Sequence, residues 1–396
     1  MSQTTPPTYR QLLAAGEPFR LLFPLGVLFG LTGVLLWPAY VWGGMDTYPV
    51  LIHTRIMIEC FLAAFVIGFL GTALPRLLDV PKVHGREAMF YAAGLTLSFA
   101  LHLISKHTLG DLLFLLTFGS FVASLAVRAR ARKDVPPPAF VLVLIGLLCA
   151  LAGTVSFLLA AVWRGGPEYQ LYQAGRLLLY QGFLLFPIMG VGAFLLPRFF
   201  DLPNQQNFPE SLTPPPGWWR SASFALGCGL LGLLSFALEY FQYLSIAYLL
   251  RASALLLYFW REVPVHKAKF RNGSLAMSLR VALFSIPLGY IAMALVPARQ
   301  ITLLHIVFIT GFSLLTLTVA TRVIFGHGGR SELFPRTLWS IRALVALIVL
   351  AMATRVSADW MPDVRLTHYA YAALAWAAAV IIWAIRVLPG VRQPDD

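Results

Sequence analysis

The sequence predicts an all-α, polytopic membrane protein of about 12 transmembrane helices, and three observations lead to that class. Hydrophobic runs of about 18 residues or more recur from one end of the chain to the other. Lysines and arginines gather in alternate loops between those runs. One Leu-Pro-Arg sequence closes two of the runs in the same way. Composition agrees: 59% of residues are hydrophobic and 12% charged, with a mean hydropathy of +0.75, so no gap between runs is polar enough for a soluble domain. The chain reads as a single integral membrane domain over 1–396.

In order, the predicted spans are 19–42, 50–75, 88–106, 111–128, 138–163, 169–197, 219–237, 240–260, 275–296, 300–325, 336–356 and 366–388. The first run, from Phe19 to about Trp42, is too long for a signal-peptide core, and no small-residue cleavage site follows it. It reads as a retained span. Pro136-Pro137-Pro138 and Pro214-Pro215-Pro216 mark links between spans.

With the N-terminus inside, 21 of the 30 lysines and arginines fall in the termini and even-to-odd loops, seven on the opposite side, and Arg251 and Arg342 inside spans. This asymmetry predicts that both termini are cytoplasmic. The formal charge of +13 is therefore a topology signal, and no nucleic-acid partner is expected.

The chain also repeats itself. Leu74-Pro75-Arg76-Leu77-Leu78-Asp79-Val80-Pro81 ends the second span, and Leu196-Pro197-Arg198-Phe199-Phe200-Asp201-Leu202-Pro203 ends the sixth, 122 positions later. Thr321-Arg322-Val323 sits at the end of the tenth, with Arg322 124 positions beyond Arg198. The spacing suggests repeated four-helix units over 19–130, 138–262 and 275–388.

Four histidines fall near one membrane surface in this topology. His53 is at the outer start of span two, His102 at the outer end of span three, His305 just inside the start of span ten and His368 at the start of span twelve. Imidazole in a bilayer is costly unless paired or ligating, and it is the usual axial ligand of haem iron and a common ligand of copper. Interfacial rings that face headgroups or water are the plainer reading for His102 and His368. His84, His107 and His266 fall in loops, where a solvated ring is the default.

Arg55 and Glu59, four positions apart, share a helix face. They read either as an anion clamp with a proton-bearing partner or as a self-neutralising pair. Arg176, in the matching third of span six, is a second candidate for holding an anionic group such as a haem propionate. Arg251, in the middle of span eight, requires an acidic or carbonyl partner that the sequence does not identify.

The stretch from His305 to Arg330 ends in Gly326-His327-Gly328-Gly329-Arg330. His305 and His327, 22 positions apart on one helix, would lie roughly 33 Å from each other, so they cannot share a metal ion. The glycine turn could form a backbone nest for an anion, but a helix stop with basic anchors at the lipid surface is the simpler reading. Cys60, Cys149 and Cys228 all lie in apolar runs without a CxxC spacing, so buried, inert thiols are expected. No Walker loop, dinucleotide glycine pattern or HExxH is present.

On these residues the chain resembles the NnrS family of haem- and copper-containing bacterial membrane proteins. The matching residues are His305, Gly311, Thr321, Arg322, Val323, Gly326, His327, Gly329 and Arg330, with Gly328 where the family has threonine. The opening Phe19-Arg20-Leu21-Leu22-Phe23-Pro24-Leu25 also looks like the family's approach to its first span. Two departures mark a divergent member. The family's Trp-His-x-His-Glu group is reduced here to His53 in Ile52-His53-Thr54-Arg55-Ile56, and Gly192-Ala193-Phe194 stands in place of its Gly-Gly-Arg. Loss of one of two clustered imidazoles counts against copper more than against haem.

The resemblance implies a multi-pass protein of the bacterial inner (cytoplasmic) membrane that binds haem b near its periplasmic face and is linked to nitric oxide metabolism and nitrosative stress. On that reading His53 and His305 are the leading axial ligands and Arg55 and Arg176 hold propionates. His102 and His368 are further candidate ligands, and Arg322, His327 and Arg330 complete the candidate cofactor residues. The expected partners are the lipid bilayer, nitric oxide or another diatomic ligand, and a redox partner. The rival reading is a 12-span secondary transporter without cofactor, which internal repeats and the intramembrane Arg251 and Glu59 would suit. A cofactor-free subunit anchoring a partner enzyme would explain the hydrophobicity but not the histidines.

Overall fold

The computed structural model describes residues 7–163, 165–268 and 273–394. Arg164, Lys269 and Arg271, which enter the charge asymmetry, lie outside them. Among the described residues the chain is helical, with no strand. Among the described residues ten helices are long and apolar enough to cross a membrane: α1 (Phe19–Val41), α2 (Val50–Leu77), α4 (His107–Arg130), α5 (Phe140–Val162), α6 (Glu168–Phe199), α7 (Trp218–Tyr240), α9 (Ser274–Leu295), α10 (Pro297–His327), α11 (Trp339–Trp360) and α12 (Pro362–Arg392). The two other predicted spans are also helices, α3 (Gly85–Leu103) and α8 (Leu244–Glu262), of 19 residues each. They fall outside the ten. Arg86 and Glu87 open α3, while Arg251, Arg261 and Glu262 lower the hydropathy of α8.

The chain divides into two compact units. One comprises the residues up to Arg132, Thr316–Thr354 and Asp363 onwards; the other comprises Lys133–Leu315 and Arg355–Pro362. In the first unit α1 packs against α2 and α12, and α3 against α4. Close approach depends on a small-residue stripe on α1: a Cβ on Gly30 would lie 2.9 Å from Phe61 Cδ2 and 3.0 Å from Trp376 Cη2. Without a hydrophobic force between helices in lipid, such backbone-to-ring contacts carry much of the packing. Phe23 stacks on Phe65 with ring centroids 4.8 Å apart. The buried Trp383 indole donates to Thr321 Oγ1 at 2.7 Å, so its one polar atom is satisfied. In the second unit α5 pairs with α6, α7 with α8, and α9 with both α8 and α10.

The outward faces are apolar, with Leu28, Leu116, Leu148, Leu230, Leu257 and Leu288 all exposed. Leucines on the outside of so many helices suit a lipid solvent, in which the hydrogen-bonded helix backbone is already satisfied. The three cysteines are free and buried, as the apolar context predicts.

Helices α2, α6 and α10 share one local plan. A proline stands at or just before the start of each: Pro49, Pro167 and Pro297, where its missing N–H costs nothing. After a short α-helical segment each widens into a π segment: Ile56–Leu62, Arg176–Gly182 and Ile306–Ser313. Such an insertion rotates the residues before it relative to those after it and is frequent at functional sites.

All three helices end alike. Val80 N donates to Pro75 O (3.0 Å), Leu202 N to Pro197 O (3.0 Å) and Arg330 N to Phe325 O (2.8 Å). Each closure turns on a left-handed residue: Asp79 (φ 48°), Asp201 (φ 50°) and Gly329 (φ 63°). This is the i+5 bond of a Schellman stop, so the glycine turn ends a helix as the simpler reading anticipates. A testable consequence follows from the side chains at this position. Gly329→Ala should cost about 1–2 kcal/mol, the penalty of placing a Cβ in the left-handed region. Gly329→Asp should cost less, since Asp tolerates that region and stands there in α2 and α6. Thermal unfolding in detergent checks the order; an equal loss in both variants would contradict it.

Candidate functional site

The most enclosed polar cluster of the first unit lies where α2, α3 and α4 meet. Glu59 and Arg55 come from α2, with Arg55 closing the first α segment and Glu59 inside the π segment that follows. His102 comes from the last turn of α3 and Asp111 from the second turn of α4. All four side chains are buried, none exposed by more than 4%.

Arg55 Nη2 donates to Asp111 Oδ2 at 3.0 Å. Its Nε lies 2.9 Å from Asp111 Oδ1 and 3.5 Å from Glu59 Oε1. His102 Nε2 is 3.3 Å from Glu59 Oε2, and its Nδ1 is 3.3 Å from His107 Nδ1. Two carboxyl groups thus share one guanidinium. With neutral imidazoles, one further positive charge is needed for local neutrality, whether a proton or a cation.

The position of His102 is set by the backbone beneath it. A Cβ on Gly110 would fall 2.4 Å from His102 Cε1, so only glycine lets α4 pass under the ring. Ser98 Oγ donates to Gly110 O at 3.0 Å and ties α3 to α4 at the same level. The α3–α4 link that brings His102 and His107 together turns at Ser105, itself left-handed (φ 60°).

The second unit holds its own buried charge. Arg251 in α8 donates to Glu239 Oε2 (2.7 Å), Gln181 Oε1 (2.8 Å) and Ser235 Oγ (2.9 Å). Its guanidinium carbon lies 4.4 Å from the Phe236 ring centroid and 5.0 Å from that of Tyr290. Here is the acidic partner the sequence leaves unidentified. Glu239 stands in the last turn of α7 and Gln181 in the π segment of α6.

A third group lies at the other end of the helices in the first unit. Arg20, fully buried, pairs with Glu17 through Nη2 (2.7 Å) and donates from Nη1 to Val391 O (2.8 Å) and Gln393 O (2.6 Å). Arg76 also bonds Glu17, and its Nη1 donates to His327 Nε2 at 3.3 Å. The His327 ring lies against Phe19, centroids 4.8 Å apart.

The structure places the remaining residues named from sequence as follows. His53, half-buried on α2, has Nδ1 2.9 Å from Gly33 O and its ring edge-on to Trp37. His305, half-buried on α10, has Nδ1 2.8 Å from Ile301 O, and His368 on α12 has Nδ1 3.0 Å from Val364 O. Since a carbonyl only accepts, Nδ1 donates in all three, which leaves Nε2 as the ligating nitrogen whenever the ring is neutral. Arg176 bonds Gln173 Oε1 at 3.2 Å. Arg322 lies over Phe334 and Arg330 over Phe325, at 4.3 and 4.7 Å. Arg55, His102 and Glu59 are therefore brought together, whereas His53 and His368 fall in one unit and His305 and Arg176 in the other.

Asp111, Glu239 and Glu17 escape a reading of the sequence. The usable signal was acidity alone: Asp111 and Glu239 stand in apolar helices without an opposite charge one turn away on their own helix. Each partner comes instead from a distant segment. His102, which the sequence allows to face headgroups or water, is fully buried.

A family model described as NnrS protein matches residues 14–394. No curated protein matches the chain.

Proposed function

Because the chain belongs to the NnrS family, we propose that it is a haem b-binding protein of the bacterial inner membrane that binds nitric oxide or a like diatomic ligand near the periplasmic face. The observation that carries this reading is the state of the outer histidines. His53 and His305 each hold Nδ1–H on a backbone carbonyl. That arrangement fixes the tautomer and orients Nε2 as an axial ligand requires. His368 has the same pattern and is the next candidate.

The donor chemistry of these residues supports the group, taken within each unit by itself. The backbone carbonyl fixes the ring, and Trp37 at His53 and Phe308 at His305 give each imidazole an apolar flank. Arg176 is better placed than Arg55 to meet a propionate, because two carboxyl groups already engage Arg55. When bound, haem iron supplies a coordination position for small gases that partition into lipid. A single outer imidazole in the second span makes copper there the lesser expectation. Turnover of the gas would call for an electron donor.

The same reading takes twelve spans with both termini cytoplasmic, built from four-helix units over 19–130, 138–262 and 275–388. The shared plan of α2, α6 and α10 supports the repeats, and the basic residues of alternate loops support the orientation.

An optical spectrum of the protein purified in detergent from haem-replete cells tests the proposal. A Soret band that shifts with nitric oxide or carbon monoxide is expected. His305→Ala or His53→Ala should abolish or displace it, while His84→Ala, at an exposed loop histidine, should leave it unchanged. Haem-free protein would favour the second reading, a cofactor-free secondary transporter. That reading draws on the buried charges at Arg55–Asp111 and Arg251–Glu239, which lie inside helices where ionisable groups mark ion paths.

A further inference from the structure

The histidine reading leaves the cluster of Glu59, His102 and Asp111 without a task. We propose that these three side chains bind one divalent first-row metal ion, of the iron(II), manganese(II) or zinc(II) kind, as a non-haem site separate from any haem.

One ligand atom from each residue lies within 4.8 Å of the other two. A single ion with bonds of about 2.0–2.2 Å holds its ligand atoms roughly 3–4.4 Å apart, so the two carboxylates must rotate inward for all three to reach it. Glu59 Oε1 and Asp111 Oδ1 are fully buried and receive no hydrogen bond among the described residues, although Arg55 Nε lies beside both. Buried carboxylate oxygens are nearly always satisfied; two that are not, on side chains that share a cluster with the His102 imidazole, are what a cation would satisfy.

The surroundings are built to hold this geometry. Gly110 admits the His102 ring where any Cβ would collide with it, and Ser98 secures the backbone at Gly110. His107 approaches the other ring nitrogen of His102, in the place of an outer partner that sets which nitrogen faces the metal. Glu59 projects from the π segment of α2, where the extra residue per turn re-aims side chains.

The donor set selects the metal class. One imidazole and two carboxylates, with no thiolate among the ligating atoms, suit harder divalent ions rather than copper(I). Charge allows occupancy when an anionic ligand accompanies the ion. Two carboxylates against Arg55 leave a deficit of one positive charge, and a divalent ion turns it into an excess of one. An anionic ligand in an open position would bring the group to neutrality.

Manganese(II) is the probe, followed by electron paramagnetic resonance on chelator-treated protein in detergent, with haem quantified separately. One saturable equivalent is expected, with nitrogen coupling from a bound imidazole in the pulsed spectrum. Zinc(II) should displace it. Glu59→Gln and Asp111→Asn, which keep shape and remove charge, should each weaken binding by roughly tenfold or more; His102→Gln should remove the nitrogen coupling. His84→Ala should bind as the parent does. No saturable manganese in the parent protein overturns the site, as does a bound signal without nitrogen coupling or equal binding by parent and charge-removed variants. The nitrogen coupling is read on the unaltered protein, so misfolding of a variant leaves the test intact. Haem content is scored independently, so loss of the haem reading and loss of this one are told apart.

Discussion

Replacing Arg251 with methionine is expected to cost the protein about 3–5 kcal/mol, the range for stripping one partner from a buried ion pair. The side chain is fully buried and Glu239 is only 13% exposed, so solvent screens the pair little. The substitution leaves the Glu239 carboxylate, Gln181 Oε1 and Ser235 Oγ without their guanidinium donor at once. Tyr248 offers Glu239 one remaining hydroxyl, at 3.1 Å.

The second arm of this experiment identifies the cause. If the loss comes from an orphaned charge, adding Glu239→Gln should recover roughly 2 kcal/mol or more of it, because removing both charges of a buried pair is often close to neutral. If packing is responsible, the two losses should instead add. Unfolding curves for the parent, both single variants and the double variant, in one detergent at one concentration, give the coupling directly. A loss below about 1 kcal/mol in Arg251→Met would show that the pair is wetter than its burial implies.

A comparable loss, also about 3–5 kcal/mol, is expected for Arg20→Met, through a different connection. Arg20 stands at the start of α1 and bonds the main-chain carbonyls of Val391 and Gln393, more than 370 positions away. The bonds go to main-chain oxygens, so side-chain changes at those two residues should matter little. Removing the donor should free the chain after Val387, which is read as faster proteolysis and faster amide exchange there. Deleting residues after Leu388 removes the same two bonds while leaving Arg20 on Glu17. That deletion should cost less than the substitution, about 1–3 kcal/mol in all for the two bonds, because water can reach the freed guanidinium N–H groups while the Glu17 pair stays intact. Equal proteolysis of the parent and of Arg20→Met would contradict the staple.

The same contrast between local and distant partners explains what could be read from the sequence. Helix class and most boundaries depend on stretches of neighbouring residues: apolar runs give the spans, and prolines and glycines mark their ends. The stop after α10 follows from Gly329 and its neighbours, whereas the left-handed turns at Asp79 and Asp201 came only from the structure. The Arg55–Glu59 pair, four residues apart on one helix, was visible for that reason. What it lacked was Asp111, 56 positions on. The three π segments left no trace in hydropathy, because an inserted residue changes the turn of a helix and not its composition.

By itself, then, the sequence determined a helical membrane chain, the places where its helices begin and end, and the family to which it belongs, since each is written in contiguous residues. Only the tertiary structure decided that Asp111 and His102 close around Glu59, that Glu239 neutralises Arg251, and that Arg20 holds the far end of the chain. A buried charge requires an opposite charge or dipole within a few ångströms, and which residue comes that near is fixed by how helices pack, not by their spacing along the chain.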